Sequence, residues 1–147
     1  MKKQLGFFLA AVSLLLILNG LTKVHAQESL YKRLGGYDAI AAVSDDFIYR
    51  LATSPDLKKF TIGLNADSQR KLRQHLVDFI CSATGGPCFY IGKDMETAHT
   101  GLNITKEEWN IGAGLLAETL DKFKVPAKEK EELLGAVSSL ESKIVGK

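Results

Sequence analysis

The sequence has 147 residues, 46% of them apolar and 24% charged. That balance fits one packed domain and excludes a disordered chain. The formal charge of +2 rests on Lys2, Lys3 and Lys23; from residue 27 onward 16 basic face 17 acidic side chains, so no basic surface for nucleic acid is implied.

Residues 1–26 have the layout of a secretory signal peptide. Lys2 and Lys3 give a positive start, Phe7 to Leu18 form an apolar run broken only by Ser13, and Val24-His25-Ala26 precede a cut ahead of Gln27. The run is short of the about 20 residues that span a bilayer. Export, for example to a bacterial periplasm, is therefore expected, with an uncleaved N-terminal anchor as the alternative. No cysteine follows the run, so no lipoprotein anchor is signalled. Residues 27–147 then form the mature domain.

Ser29 to Leu34 predicts a short helical or extended entry, stopped by Gly35-Gly36. From Asp38, a candidate cap, Ile40, Val43, Phe47 and Leu51 recur at helical spacing, which predicts a helix over 38–53. Ser54-Pro55-Asp56 breaks it. Leu57 to Phe60 allows one turn and 61–66 a loop. Asp67 or Ser68 can cap a second helix over 67–84, with Leu72, Leu76, Phe79, Ile80 and Ala83 apolar and His75 inside the stripe. An imidazole there needs a partner if buried. Cys81 is expected on the opposite side of this helix.

Gly85-Gly86-Pro87 ends the helix. Asp94 can cap a short segment carrying His99, closed by Gly101. Thr105-Lys106-Glu107-Glu108 is a capping-box sequence. Behind it Trp109, Ala113, Leu116, Leu120 and Phe123 predict a helix over 105–124, in which Gly112 and Gly114 suggest close approach by something bulky. Pro126 suits a first turn, and Leu133, Leu134, Val137, Leu140 and Ile144 predict a last helix over 127–145. No strand, repeat or low-complexity linker is evident, so the fold class is all-α.

His99 and His75 are the two histidines beyond the signal, and a neutral imidazole is a good ligand for iron or zinc. Cys81 and Cys88 are free to bridge in an oxidising compartment, where the bond would brace the turn. A zinc site from His75, Cys81, Cys88 and His99 has no usual spacing.

Residues 27–147 resemble a group I truncated haemoglobin over nearly their whole length. The features that carry the resemblance are Leu30-Tyr31-x-x-Leu34-Gly35-Gly36, Asp46-Phe47, Gly85-Gly86-Pro87, and Tyr90-x-Gly92-x-x-Met95-x-x-Ala98-His99-x-Gly101-x-x-Ile104-Thr105. The resemblance implies a two-over-two helical sandwich around one haem b, with 38–53 and 67–84 crossed against 105–124 and 127–145. It implies His99 as the proximal iron ligand. It places Tyr90 and Lys71 near the haem propionates, and Phe47, Met95, Ala98, Ile104, Trp109 and Val137 among the haem contacts. The phenylalanine expected after the first helix aligns with Phe60 or with Thr61. Each apolar member of this set is equally explained by core packing.

The distal side departs from the family. Its usual tyrosine is here Ile48, with Tyr49 one position late and turned by about 100°. Leu72 and Leu76 stand where relatives can carry glutamine, and Phe79 completes an apolar distal pocket. His75 falls where some cyanobacterial members place a second axial histidine. The function implied is reversible binding of oxygen, nitric oxide or carbon monoxide, with His75 as an internal competitor. Nitric-oxide dioxygenase or peroxidase-like turnover would need an electron donor from elsewhere. The other readings are a bis-histidyl electron-transfer or redox-sensing protein, and a haem-free helical binding module. No Cys-x-x-Cys-His signals covalent haem attachment. Partners beyond the gas and a donor are not implied, and either a monomer or a dimer is compatible.

Overall fold

The computed structural model describes residues 28–147; residues 1–27, which hold the expected signal peptide, lie outside the described part. The chain opens with α1 (Leu30–Arg33), one turn capped by the Ser29 hydroxyl. The long helix α2 (Gly36–Thr53) begins two residues earlier than Asp38. Gly35 sits at φ +96°, a left-handed conformation that turns the chain straight from α1 into α2. Asp38 therefore falls inside the first turn, where its charge favours the helix dipole instead of capping.

A single 3-10 turn (Lys58–Phe60) leads to α3 (Ala66–Ala83). Its cap is Asn65, whose side chain accepts from the Ser68 amide at 2.9 Å, in place of the expected Asp67 or Ser68. At the far end Thr84 donates its hydroxyl to the Ile80 carbonyl at 2.7 Å. Next come α4 (Met95–His99), capped by Asp94, and α5 (Lys106–Lys122), which carries the Thr105–Glu108 capping box in full. The last helix, α6 (Ala127–Ser138), stops seven residues before the expected end. Ser138 and Ser139 turn their hydroxyls back onto the Leu134 and Ala136 carbonyls, competing with further helix. A 3-10 turn (Glu141–Lys143) follows and lets Ile144 bury itself.

Helix α2 packs on α3 and α5, while α6 packs on α5 and α1. Ile40 and Val43 of α2, Val77, Ile80 and Cys81 of α3, Leu116 and Leu120 of α5 and Leu133 of α6 form one buried cluster. Burying each large aliphatic side chain is worth about 1.5–3 kcal/mol. Cys81 lies on the side of α3 away from His75, as expected, and that side is the fully buried one. Helix α3 has two apolar faces. Val77, Ile80 and Cys81 follow the i, i+3, i+4 rule and look into the core. Leu72, His75, Leu76 and Phe79 follow the same rule on the other side, since positions 75 and 77 are about 200° apart.

An ion-pair network ties α2 to α5. Asp46 takes Lys122 and Arg50 (2.8 Å), and Thr119 donates to it at 3.3 Å. Lys122 and Arg50 hold the Asp46 carboxyl at a pKa of about 2. The glycines of α5 meet no bulky group of the protein itself. A Cβ at Gly112 would meet Leu57 at an ordinary 3.7 Å, and one at Gly114 would meet nothing within 4 Å.

Candidate functional site

His99 closes α4, a five-residue helix held at its start by Asp94, which accepts from the Thr97 amide at 3.0 Å and from the Thr97 hydroxyl at 2.6 Å. Its Nδ1 lies 2.7 Å from the Met95 carbonyl oxygen. A carbonyl oxygen can only accept, so Nδ1 carries the proton and the Nε2 lone pair of the neutral ring is left free. That is the tautomer a metal-ligating imidazole needs. The chain after α4 is pinned from behind. The Asn103 amide donates to the Lys147 carbonyl (2.7 Å) and the Gly146 amide to the Ile104 carbonyl (2.9 Å).

The second face of α3 is left only partly covered by the protein. Leu72 is 38% exposed, and His75, Leu76 and Phe79 are half-buried. Tyr90 packs edge-on against both His75, at 6.1 Å between ring centroids, and Phe79, at 5.2 Å. The Tyr90 hydroxyl donates to the Lys93 carbonyl at 2.6 Å, and burial raises its pKa above the usual value. Nδ1 of His75 is buried and has no hydrogen-bond partner, a condition that costs about 1–3 kcal/mol. An orphaned imidazole on a half-open apolar face, together with a free Nε2 on His99, is a donor set that suits a large flat apolar group carrying an iron.

The remaining residues singled out from the sequence separate into groups. Phe47, Leu76, Phe79 and Val137 pack against the core cluster. Ile48, Met95, Ile104 and Trp109 are half-buried and Ala98 is exposed. Phe60 is half-buried with the Lys59 ammonium 5.0 Å from its ring centroid. Lys71 is exposed and pairs with Asp67 of its own helix at 2.8 Å. Tyr49 is 67% exposed. Cys81 and Cys88 are joined by a disulfide, so neither sulfur is presented as a metal-binding thiolate. A small apolar cleft at Leu34, Val43, Leu120 and Leu133 belongs to the core and contains no polar group to do chemistry. The tail contacts at Asn103 and Ile104 escaped the sequence because backbone pairing leaves no side-chain pattern.

The family model described as bacterial-like globin matches residues 29–145. The chain belongs to that globin family. Among curated relatives, the group 1 truncated hemoglobin GlbN of Mycolicibacterium paratuberculosis is 34% identical over 79% of this chain and 83% of the relative. GlbN of Nostoc commune is 31% identical over 81% of this chain and 98% of its own. Among solved structures, the truncated hemoglobin of Tetrahymena pyriformis in its Fe(III) form superposes with a TM-score of 0.74 at 27% identity, covering 82% of this globin and all of that chain. The 2/2 hemoglobin of a Synechococcus species superposes at 0.71 with 25% identity, covering 79% and 95%. The two-over-two fold is thus that of truncated haemoglobins, and haem-based binding of diatomic ligands is the function that goes with the family. No helix of this globin among the described residues is long and apolar enough to cross a membrane.

Proposed function

We propose that this globin is exported and carries one haem b, with His99 as proximal ligand and His75 as an internal distal ligand that an external gas must displace. The observation that carries this reading is the partnerless, buried Nδ1 of His75 on the partly covered face of α3. When bound, haem would supply an iron able to take a diatomic ligand. The chain's own part is to orient and exclude. The Met95 carbonyl fixes the proton on Nδ1 of His99 and leaves Nε2 as the donor atom. Tyr90 packs edge-on against the imidazole of His75 and against Phe79, and keeps the surroundings apolar. With Ile48, Leu72 and Leu76 on the distal side, an external ligand finds few hydrogen-bond donors. Such a bond is worth about 1.5–3 kcal/mol when the acceptor is charged, so weak retention of oxygen is expected. Competition by His75 lowers the apparent affinity further, by the fraction of time the position is open. Export is supported by the layout of residues 1–26.

The test is the ferric and ferrous absorption spectra of the reconstituted protein and of His75→Leu. The wild type should be six-coordinate and low-spin, and the variant five-coordinate in the ferrous form. Identical spectra would remove His75 from the iron. The same scarcity of donors favours a second reading, a bis-histidyl electron carrier or redox sensor. A six-coordinate protein that resists carbon monoxide at millimolar concentration would favour it.

A further inference from the structure

The Cys81–Cys88 disulfide and the His75–Tyr90 contact close one ring of structure. His75 and Cys81 lie six residues apart on the rigid α3. Cys88 lies two residues before Tyr90, whose ring returns to His75. Between them runs the irregular stretch 84–94, which contains no helix or strand. Within it Phe89 and Ile91 are 87% and 84% exposed, so the side chains flanking Tyr90 do nothing to hold it against the protein. Tyr90 is anchored by its own ring contacts, by its bond to the Lys93 carbonyl, and by the bridge two residues upstream.

We propose that Tyr90 is a positioning residue for His75 and that the Cys81–Cys88 bridge is a redox switch acting through it; the second half rests on His75 serving as the distal ligand. With the bridge closed, Tyr90 confines the imidazole, and a pre-organised ligand competes better than a mobile one. With the bridge open, the 84–94 stretch loosens, His75 gains rotational freedom, and an external ligand enters more readily. The opening step is ordinary exchange with an external dithiol. Its thiolate attacks the sulfur of Cys88, a half-buried residue, and not that of the fully buried Cys81, forming a mixed disulfide and expelling the Cys81 thiolate. The second thiol of the reagent then displaces Cys88. The protein disulfide is reduced by two electrons, the reagent becomes a cyclic disulfide, and both cysteines end protonated.

The experiment compares oxidised wild type with Cys88→Ser, which leaves the core sulfur of Cys81 in place, and with Tyr90→Leu, which keeps the bridge. Two quantities are read: cyanide association with the ferric protein, and the His75 ring-proton signals of the haem-free protein. Both variants should bind cyanide about two- to tenfold faster, the range an aromatic edge contact supports. Both should shift or broaden the His75 signals in the haem-free protein. If Cys88→Ser matches oxidised wild type in both readouts while His75→Leu binds cyanide faster, the switch is wrong and the distal-ligand reading stands. If His75→Leu binds cyanide no faster than wild type, that reading fails and the switch with it.

Discussion

Nδ1 of His99 and the carbonyl oxygen of Met95 lie 2.7 Å apart, one helical turn from each other in α4. The contact decides which nitrogen of the ring is protonated, and so which can hold a metal. Replacing the orienting partner of a metal-bound histidine typically costs 10–100-fold in affinity, and removing the ligand costs at least as much. His99→Ala is therefore expected to weaken haemin binding by about a hundredfold or more. Millimolar imidazole should restore part of the Soret band by filling the gap. Equal retention of haemin after desalting, with and without the His99 side chain, would contradict this assignment.

The helices and the glycine turns were legible because each rests on a local signal. The capping box at Thr105–Glu108 and the Asp94 cap are encoded within four residues and stand where the sequence puts them. The inward face of α3 was not legible. Val77, Ile80 and Cys81 make as good a helical stripe as Leu72, Leu76 and Phe79, and nothing local says which one is fully buried and which only borders the core. A helix with two apolar stripes is itself informative, since the protein covers one and leaves the other partly open. The end of α6 was also hidden. Leu140 and Ile144 continue the apolar spacing past residue 138, yet the hydroxyls of Ser138 and Ser139 compete with further helix there.

The Asp46 network gives a prediction in acid. Its pKa is about 2 in the folded protein, below the ordinary value of about 3.9. The folded state thus binds the proton more weakly than the unfolded chain does. Its contribution to stability is complete above about pH 4 and is lost as pH falls from there toward 2. Asp46→Ala should cost about 1.5–3 kcal/mol at pH 7, the worth of hydrogen bonds to a charged group. The difference in melting temperature between wild type and variant should shrink steadily below pH 4. A difference that is constant from pH 6 to pH 2 would show that the carboxylate charge is not what joins α2 to α5.

Gly86 is required by close approach. A Cβ there would stand 2.5 Å from the Tyr31 ring, 2.6 Å from the Cys81 sulfur and 2.8 Å from the Cys81 carbonyl oxygen. The last of these is backbone and the Cys81 side chain is locked in the bridge, so neither can step aside. Gly86→Ala is expected to destabilise by about 1–3 kcal/mol, the usual cost of overpacking, and to lower the urea midpoint. Gly114→Ala, with nothing near its Cβ, serves as the control and should stabilise slightly through helix propensity. A pair of unchanged midpoints would overturn the steric argument.

Residues 144–147 are the part of the surroundings of α4 that lies farthest away in sequence. Ile144 is buried, and the Gly146 amide and Lys147 carbonyl pair with Ile104 and Asn103, just beyond His99. Lys147 also reaches Glu96 of α4 at 3.5 Å. Deleting residues 144–147 removes one buried aliphatic side chain, worth about 1.5–3 kcal/mol, and frees both backbone partners. The loss should be local because the buried cluster of α2, α3 and α5 does not include the tail. Amides from 95 to 104 should therefore exchange faster in the truncated protein while those of Val77 and Leu120 keep their protection, and haemin should dissociate several-fold faster. Faster exchange throughout the molecule would mean that the tail supports the whole fold; no change at 95–104 would mean that α4 holds His99 unaided.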